Sequence, residues 1–95
     1  MSKLTFRTHA VQQMFARSIS VDDVKSVLEY GEIIRIYADD TPYPSRLILG
    51  WRGQRPLHVV AADNTLDDET IIITAYEPDT TNWQNDFRKK KENTQ

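Results

Sequence analysis

The chain has 95 residues, 39% hydrophobic and 27% charged, with three Gly, four Pro and no Cys. That is one domain with a single modest core, and it excludes disulfides, a thiolate nucleophile, a cysteine-held zinc and any apolar run long enough to span a membrane. Twelve basic residues against 14 acidic ones give a net charge of −2, so a phosphate-binding surface has to come from uneven placement rather than from a basic domain.

The N-terminus lacks the apolar core of a signal peptide, so a cytoplasmic setting is expected, with no metal and no cofactor. The first six residues read as an extended arm or a short edge strand. Residues 8–18 follow helical spacing, with Val11, Met14 and Phe15 on one stripe and His9, Gln13 and Arg17 on the next. Thr8 is placed to cap this helix. Ser20 opens a second helix, with Asp23 completing a capping-box pattern and Val21, Val24, Val27 and Leu28 as its buried stripe. Gly31 supplies a left-handed stop.

From residue 32 the period changes. Ile33–Tyr37 is β-branched and aromatic, the composition of a strand. Residues 38–45, with two prolines and Asp39-Asp40, form a stiff exposed loop. Strands over Arg46–Trp51 and Pro56–Ala62 flank a hairpin turn at Arg52-Gly53-Gln54-Arg55. A polar loop then leads into a strand over Thr70–Tyr76, which Pro78 ends. Thr80 or Thr81 caps a last short helix with Trp83 and Phe87 on one face, docked intramolecularly. Arg88-Lys89-Lys90-Lys91 is then a free basic end, deleting residues 89–95 is expected to leave thermal stability nearly unchanged while weakening RNA association, and residues 92–95 fray. The sum is a single α+β domain over residues 1–95: two N-terminal helices packed on one face of a mainly antiparallel four-stranded sheet, with a short C-terminal helix.

Strand alternation sorts the chemistry. It predicts Leu57, Val59, Ile71 and Ile73, with Leu47 and Leu49, on the face covered by helices. Arg46, His58, Thr74 and Tyr76 then share the other face. Two roles are open to His58: a core histidine satisfied by a neighbouring carbonyl, or a general acid or base that titrates near neutral pH. On an open sheet face its removal leaves folding intact. Tyr76 suits packing, a phosphate hydrogen bond or base stacking, and Thr74 is a good strand residue that also reaches a phosphate. His9 and Arg17 lie eight residues apart, ~12 Å along a helix and ~80° around it, so they border one groove without touching. Walker-type loops, GxSxG elbows and His-Glu-x-x-His are absent from the sequence, which argues against nucleotide-binding and metal-dependent hydrolases.

Several segments resemble a bacterial family of small α+β proteins with a domain of unknown function. They are Phe6-Arg7-Thr8-His9-Ala10 with Met14 and Arg17, Ile19-Ser20, Val24–Gly31, Pro44–Gly50, Pro56–Val60, and Ile73–Asp79 with Trp83. The resemblance covers residues 6 to 88. It implies a place near the RelE/ParE-like toxins and the barnase, EndoU and colicin ribonucleases, with helices on one side of the sheet and RNA on the other. It further implies cleavage through the ribose 2′-hydroxyl without metal, and a cognate antitoxin protein as partner. The positions matching the family's polar pattern are His9, Arg17, His58, Thr74 and Tyr76. The acidic charge balance departs from ribosome-dependent toxins.

The leading expectation is therefore a metal-independent endoribonuclease, the toxin of a toxin–antitoxin pair. His58 and His9 would act as general base and acid, with Tyr76 alongside. Arg17 and Arg46 would stabilise phosphorane charge, and Thr74 would orient the phosphate. The competing expectation is a non-catalytic protein-interaction module on the same fold, which the acidic balance favours.

Overall fold

Helices α1 (Thr8–Arg17) and α2 (Val21–Tyr30) form where the apolar stripes recur at helical spacing, in a computed structural model that describes residues 3–91. The fraying expected of residues 92–95 lies outside the described residues. Helix α2 opens on the expected capping box. Ser20 Oγ accepts from the Asp23 N–H at 3.0 Å, and the Asp23 carboxylate accepts from the Ser20 N–H at 3.0 Å. Helix α1 has no such cap: Arg7, not Thr8, holds the N-cap position, and it makes no side-chain capping bond. The left-handed stop belongs to α1 instead, at Ser18 with φ 56°. Gly31 is extended at φ −75°, and its small size is what matters. A Cβ there would stand 2.7 Å from Ile48 Cγ2.

The strands are β1 (Lys3–Phe6), β2 (Glu32–Tyr37), β3 (Ser45–Arg52), β4 (Arg55–Asn64) and β5 (Glu69–Tyr76), in the order β1-β5-β4-β3-β2. This corrects the expected four-stranded sheet. The N-terminal segment pairs parallel to β5, from Lys3 opposite Glu69 to Phe6 opposite Ile72, so the sheet is five-stranded and mixed. Four residues are too short to reveal such a partner, because parallel pairing depends on where the long intervening chain returns.

The expected C-terminal helix is also corrected. Among the described residues, 78–91 form a turn-rich strap closed by an antiparallel bridge between Trp83 and Lys90. The Gln84 N–H donates to the Lys89 carbonyl at 2.9 Å, and the Lys91 N–H donates to that of Asn82 at 2.8 Å. Phe87 sits at φ 59°, which no right-handed helix accepts. Trp83 and Phe87 still dock on the sheet. Trp83 meets the His58 ring edge-on at 4.4 Å, and Phe87 meets Trp51 at 6.0 Å. The basic end is therefore tied down, and Arg88 pairs with Glu32 of β2 at 2.8 Å.

One face of the sheet is covered by both helices. Ala10, Met14, Ile19, Val24 and Val27 pack on Ile48, Leu57, Val59, Ala61, Ile72 and Ala75. Of the stripe Val11, Met14 and Phe15 only Met14 is buried, because α1 approaches through the small Ala10. Leu57 and Val59 face the helices as alternation predicts. Ile71 and Ile73 do not. Val60 opposes Thr74 while Ala61 opposes Ile72, so Ile73 is an unopposed bulge residue and the faces exchange there. On β3 the register sets Ile48 opposite Val59 and Leu49 opposite His58, which turns Ile48 and Gly50 inward and Leu47 and Leu49 outward. Gly50 lets Val27 approach: a Cβ would stand 2.6 Å from its Cγ2. Among the described residues no helix is long and apolar enough to cross a membrane.

Candidate active site

Strand β1 stops at Phe6, opposite Ile72, so residues 73–76 of β5 have no strand beside them on that side among the described residues. Helix α1 packs against β5, and the strap returns on its other flank. Between them lies a groove of about 410 Å³. Its α1 wall is the expected polar stripe His9, Gln13 and Arg17, spaced four residues apart. Thr74 and Tyr76 come from β5, Glu77 directly follows it, and Asp79, Asn82 and Trp83 come from the strap. Four of the six candidate residues meet here: His9, Arg17, Thr74 and Tyr76.

His58 stands behind this groove and not in it. Its relative exposure is 0%, and it meets the groove lining through the Tyr76 hydroxyl and, edge-on, the Trp83 ring. Nε2 lies 2.8 Å from the Phe87 carbonyl, which only accepts, so Nε2 carries the proton. Nδ1 is then the acceptor, and the Tyr76 hydroxyl donates to it at 3.1 Å. Burial pushes the His58 imidazole below its ordinary value of 6.5, partly offset by the Phe87 carbonyl. The ring is thus held neutral. Burial likewise raises the Tyr76 phenol, with Tyr37 adding to the rise and the positive charge of Arg35 opposing it. Of the roles open to His58, the structure shows the satisfied core histidine, with Nδ1 accepting from a groove residue. Its fully buried position corrects the expectation of an open sheet face.

Arg46 does not join the others. The register turns it to the helix-facing side, opposite Ala61, three residues along β3 from the position facing His58. Its guanidinium donates to Asp63 at 2.7 Å, and Thr70 Oγ1 donates to the same carboxylate at 2.9 Å. Arg46, Arg52, Arg55 and Arg88 are each paired with a carboxylate. Among the described residues Arg7, Arg17 and Arg35 have no such partner.

Alternation along the chain missed three contributions. Arg55, at the end of the hairpin turn, donates to the carbonyls of Arg17 and Ser18 and to Glu77, tying the end of α1 to the start of the strap. Asp79 and Asn82 form a strap turn in which the Asn82 N–H donates to Asp79 Oδ1 at 3.0 Å. The only sequence signal for the strap residues is their place directly after the strand bearing Tyr76. Helix α1 also begins without an acidic residue in its first turn, leaving the N–H groups around His9 to water or an anion.

Among known families, the model described as DUF4258, a domain of unknown function, matches residues 6–77. The match ends where the strap begins. No curated protein and no solved structure matches the chain.

Proposed function

The chain belongs to the DUF4258 family of domains of unknown function, and we propose that the groove of this member is the active site of a metal-independent endoribonuclease related to the RelE/ParE-like toxins and working in the cytoplasm. One observation carries the reading. An unpaired Arg17, His9 and a Tyr76 hydroxyl backed by a neutral, buried His58 converge on one polar groove beside the uncapped start of α1.

In the proposed step the ribose O2′ attacks phosphorus, the new O2′–P bond forms and the P–O5′ bond breaks. The O2′ proton passes to the Tyr76 oxygen as Tyr76 hands its own proton to His58 Nδ1, so the phenol stays neutral. The imidazolium that forms keeps both N–H groups bonded, to Tyr76 and to the Phe87 carbonyl. His9 protonates O5′. Arg17 and the first-turn N–H groups of α1 take the charge on the phosphorane, and Thr74 orients a non-bridging oxygen. The products are a 2′,3′-cyclic phosphate and a 5′-hydroxyl.

The test is purified protein on an unstructured RNA in EDTA, scored for cyclic-phosphate ends. Arg17→Gln and Tyr76→Phe should each cut cleavage by about 10²–10⁴-fold, while Arg46→Gln leaves it unchanged. Equal cleavage by wild type and both groove variants overturns the reading. A second reading, the protein-interaction module, is favoured by Phe15 and Val11, which are 90% and 51% exposed on α1. Such a surface suits an antitoxin-like protein in either case. Tight binding to that partner with no cleavage by the free chain selects the module.

A further inference from the structure

Across the outer face of the sheet the registers align one row of side chains. Arg35 on β2 opposes Leu47, Leu47 opposes Val60, and Val60 opposes Thr74. Directly opposed residues share a face, so all four point away from the helices. Three strand spacings of about 4.8 Å separate the backbones of Arg35 and Thr74 by ~14 Å. One end of the row opens into the groove, where Thr74 sits beside Tyr76. At the other end stand Arg35, exposed, and Tyr37, half-buried two residues along the same edge strand.

We infer that this row is a second subsite continuous with the groove, in which Arg35 takes a phosphate neighbouring the reacting one and the Tyr37 ring receives a base, so that the substrate is an extended single strand of RNA. The inference rests on the ribonuclease reading of the groove. Charge supports it: four arginines are already neutralised by carboxylates, and of the three that are not, Arg17 flanks the Thr74 end of the row and Arg35 its far end. Its shape argument concerns the bases. Val60 and Thr74 are half-exposed between two tyrosines, with Leu47 of the same row buried, and offer a surface for splayed bases, whereas an A-form duplex keeps its bases stacked inside. Arg35 and Tyr37 also act on the Tyr76 phenol electrostatically, in opposite directions.

The experiment is fluorescence anisotropy with labelled 2′-O-methyl oligouridylates of two and six nucleotides, which bind without being cleaved. Wild type should bind the longer oligonucleotide more tightly. Arg35→Gln should weaken the six-mer about three- to tenfold, flatten its log–log salt slope by about 0.7, the value of one single-strand phosphate contact, and leave the two-mer unchanged. Tyr37→Leu should weaken the six-mer without altering the slope, because stacking releases no counterion. Arg17→Gln should weaken both lengths. Six-mer binding by Arg35→Gln equal to wild type, with Arg17→Gln impaired, overturns the second subsite and leaves the groove standing. No binding by wild type, or none of it sensitive to Arg17, overturns both.

Discussion

The Tyr76 hydroxyl points its proton at His58 Nδ1, 3.1 Å away, and the direction is set from the far side of the ring by the Phe87 carbonyl. A strap residue thus decides which way a β5 hydroxyl faces. The lone pairs of the Tyr76 oxygen are left for the groove, where a proton acceptor is wanted. The coupling is structural as well as chemical, since the same imidazole carries the edge-on Trp83 ring.

His58→Ala should consequently destabilise the fold. The substitution empties a fully buried site, strands the Tyr76 hydroxyl and the Phe87 carbonyl, and removes a ring from Trp83. Cavity and unsatisfied-group costs together come to about 2–4 kcal/mol, a large share of the stability of a small domain. Urea unfolding of wild type and variant measures it. A midpoint that does not move means that the strap is not closed over His58 in solution.

The same burial gives stability a pH dependence of known sign. The folded-state pKa of His58 is depressed, so the unfolded chain binds the proton more readily. The stabilising contribution of the neutral ring is complete above about 6.5, the unfolded value, and is lost as pH falls from there through the lower folded value. Thermal melts from pH 8 to 5 should show wild type losing more melting temperature than His58→Gln below about pH 6.5. Parallel curves for the two proteins would show that His58 is not held neutral.

Helix starts, strands and the polar α1 stripe were legible because each rests on a local signal. Ser20 with Asp23 announced a cap that forms, and His9, Gln13 and Arg17 share a wall because their spacing is helical. What local signals do not encode is register. A single unopposed residue, Ile73, reverses the faces of half of β5, and its bulge depends on pairing with β4 rather than on the composition of β5. Arg46 failed for a related reason: alternation gives two faces but does not say which one the helices cover, and only pairing with β4 does. The strap escaped because Trp83 and Phe87, four apart, look the same to a helical wheel as to a looped segment whose two rings reach separate partners.

The bulge makes a sharp prediction about the core. Ile72 is fully buried under the helices and Ile73 only half-buried, so Ile72→Ala should cost about 2–5 kcal/mol and Ile73→Ala clearly less. Val59→Asp, on the unbulged strand beside them, should abolish cooperative folding by placing a charge at a site with no exposure. Chemical denaturation of the two Ile variants is the check, and equal losses would remove the bulge.

Ending the chain at Arg88 should lower the melting temperature. It deletes the Lys89 carbonyl that accepts from Gln84 and the Lys91 N–H that donates to Asn82, the two bonds flanking the Trp83–Lys90 bridge. Two lost backbone bonds, at about 1 kcal/mol each, correspond to several degrees for a domain of this size. Trp fluorescence should change in the same variant, because Trp83 loses its clamp. An unchanged melt and spectrum would return residues 89–91 to the role of a free basic end.

The proposed proton relay fixes the shape of the pH–rate profile. Taking a proton from O2′ requires neutral His58, so kcat/KM should fall on the acid side only below the ordinary imidazole range, where burial has moved this ring. Delivering a proton to O5′ is the proposed work of His9. Tyr76→Phe removes the only hydroxyl joining His58 to the groove. It should lower kcat/KM by about 10²–10⁴-fold and abolish the acid limb, since neutral His58 then no longer serves the reaction. His9→Gln should instead lower the rate and keep the acid limb. Both profiles belong in EDTA, with initial rates of cyclic-phosphate formation from one unstructured RNA. A Tyr76→Phe enzyme that keeps the acid limb at wild-type rate takes His58 out of the proton path, and leaves it only the work of holding the strap.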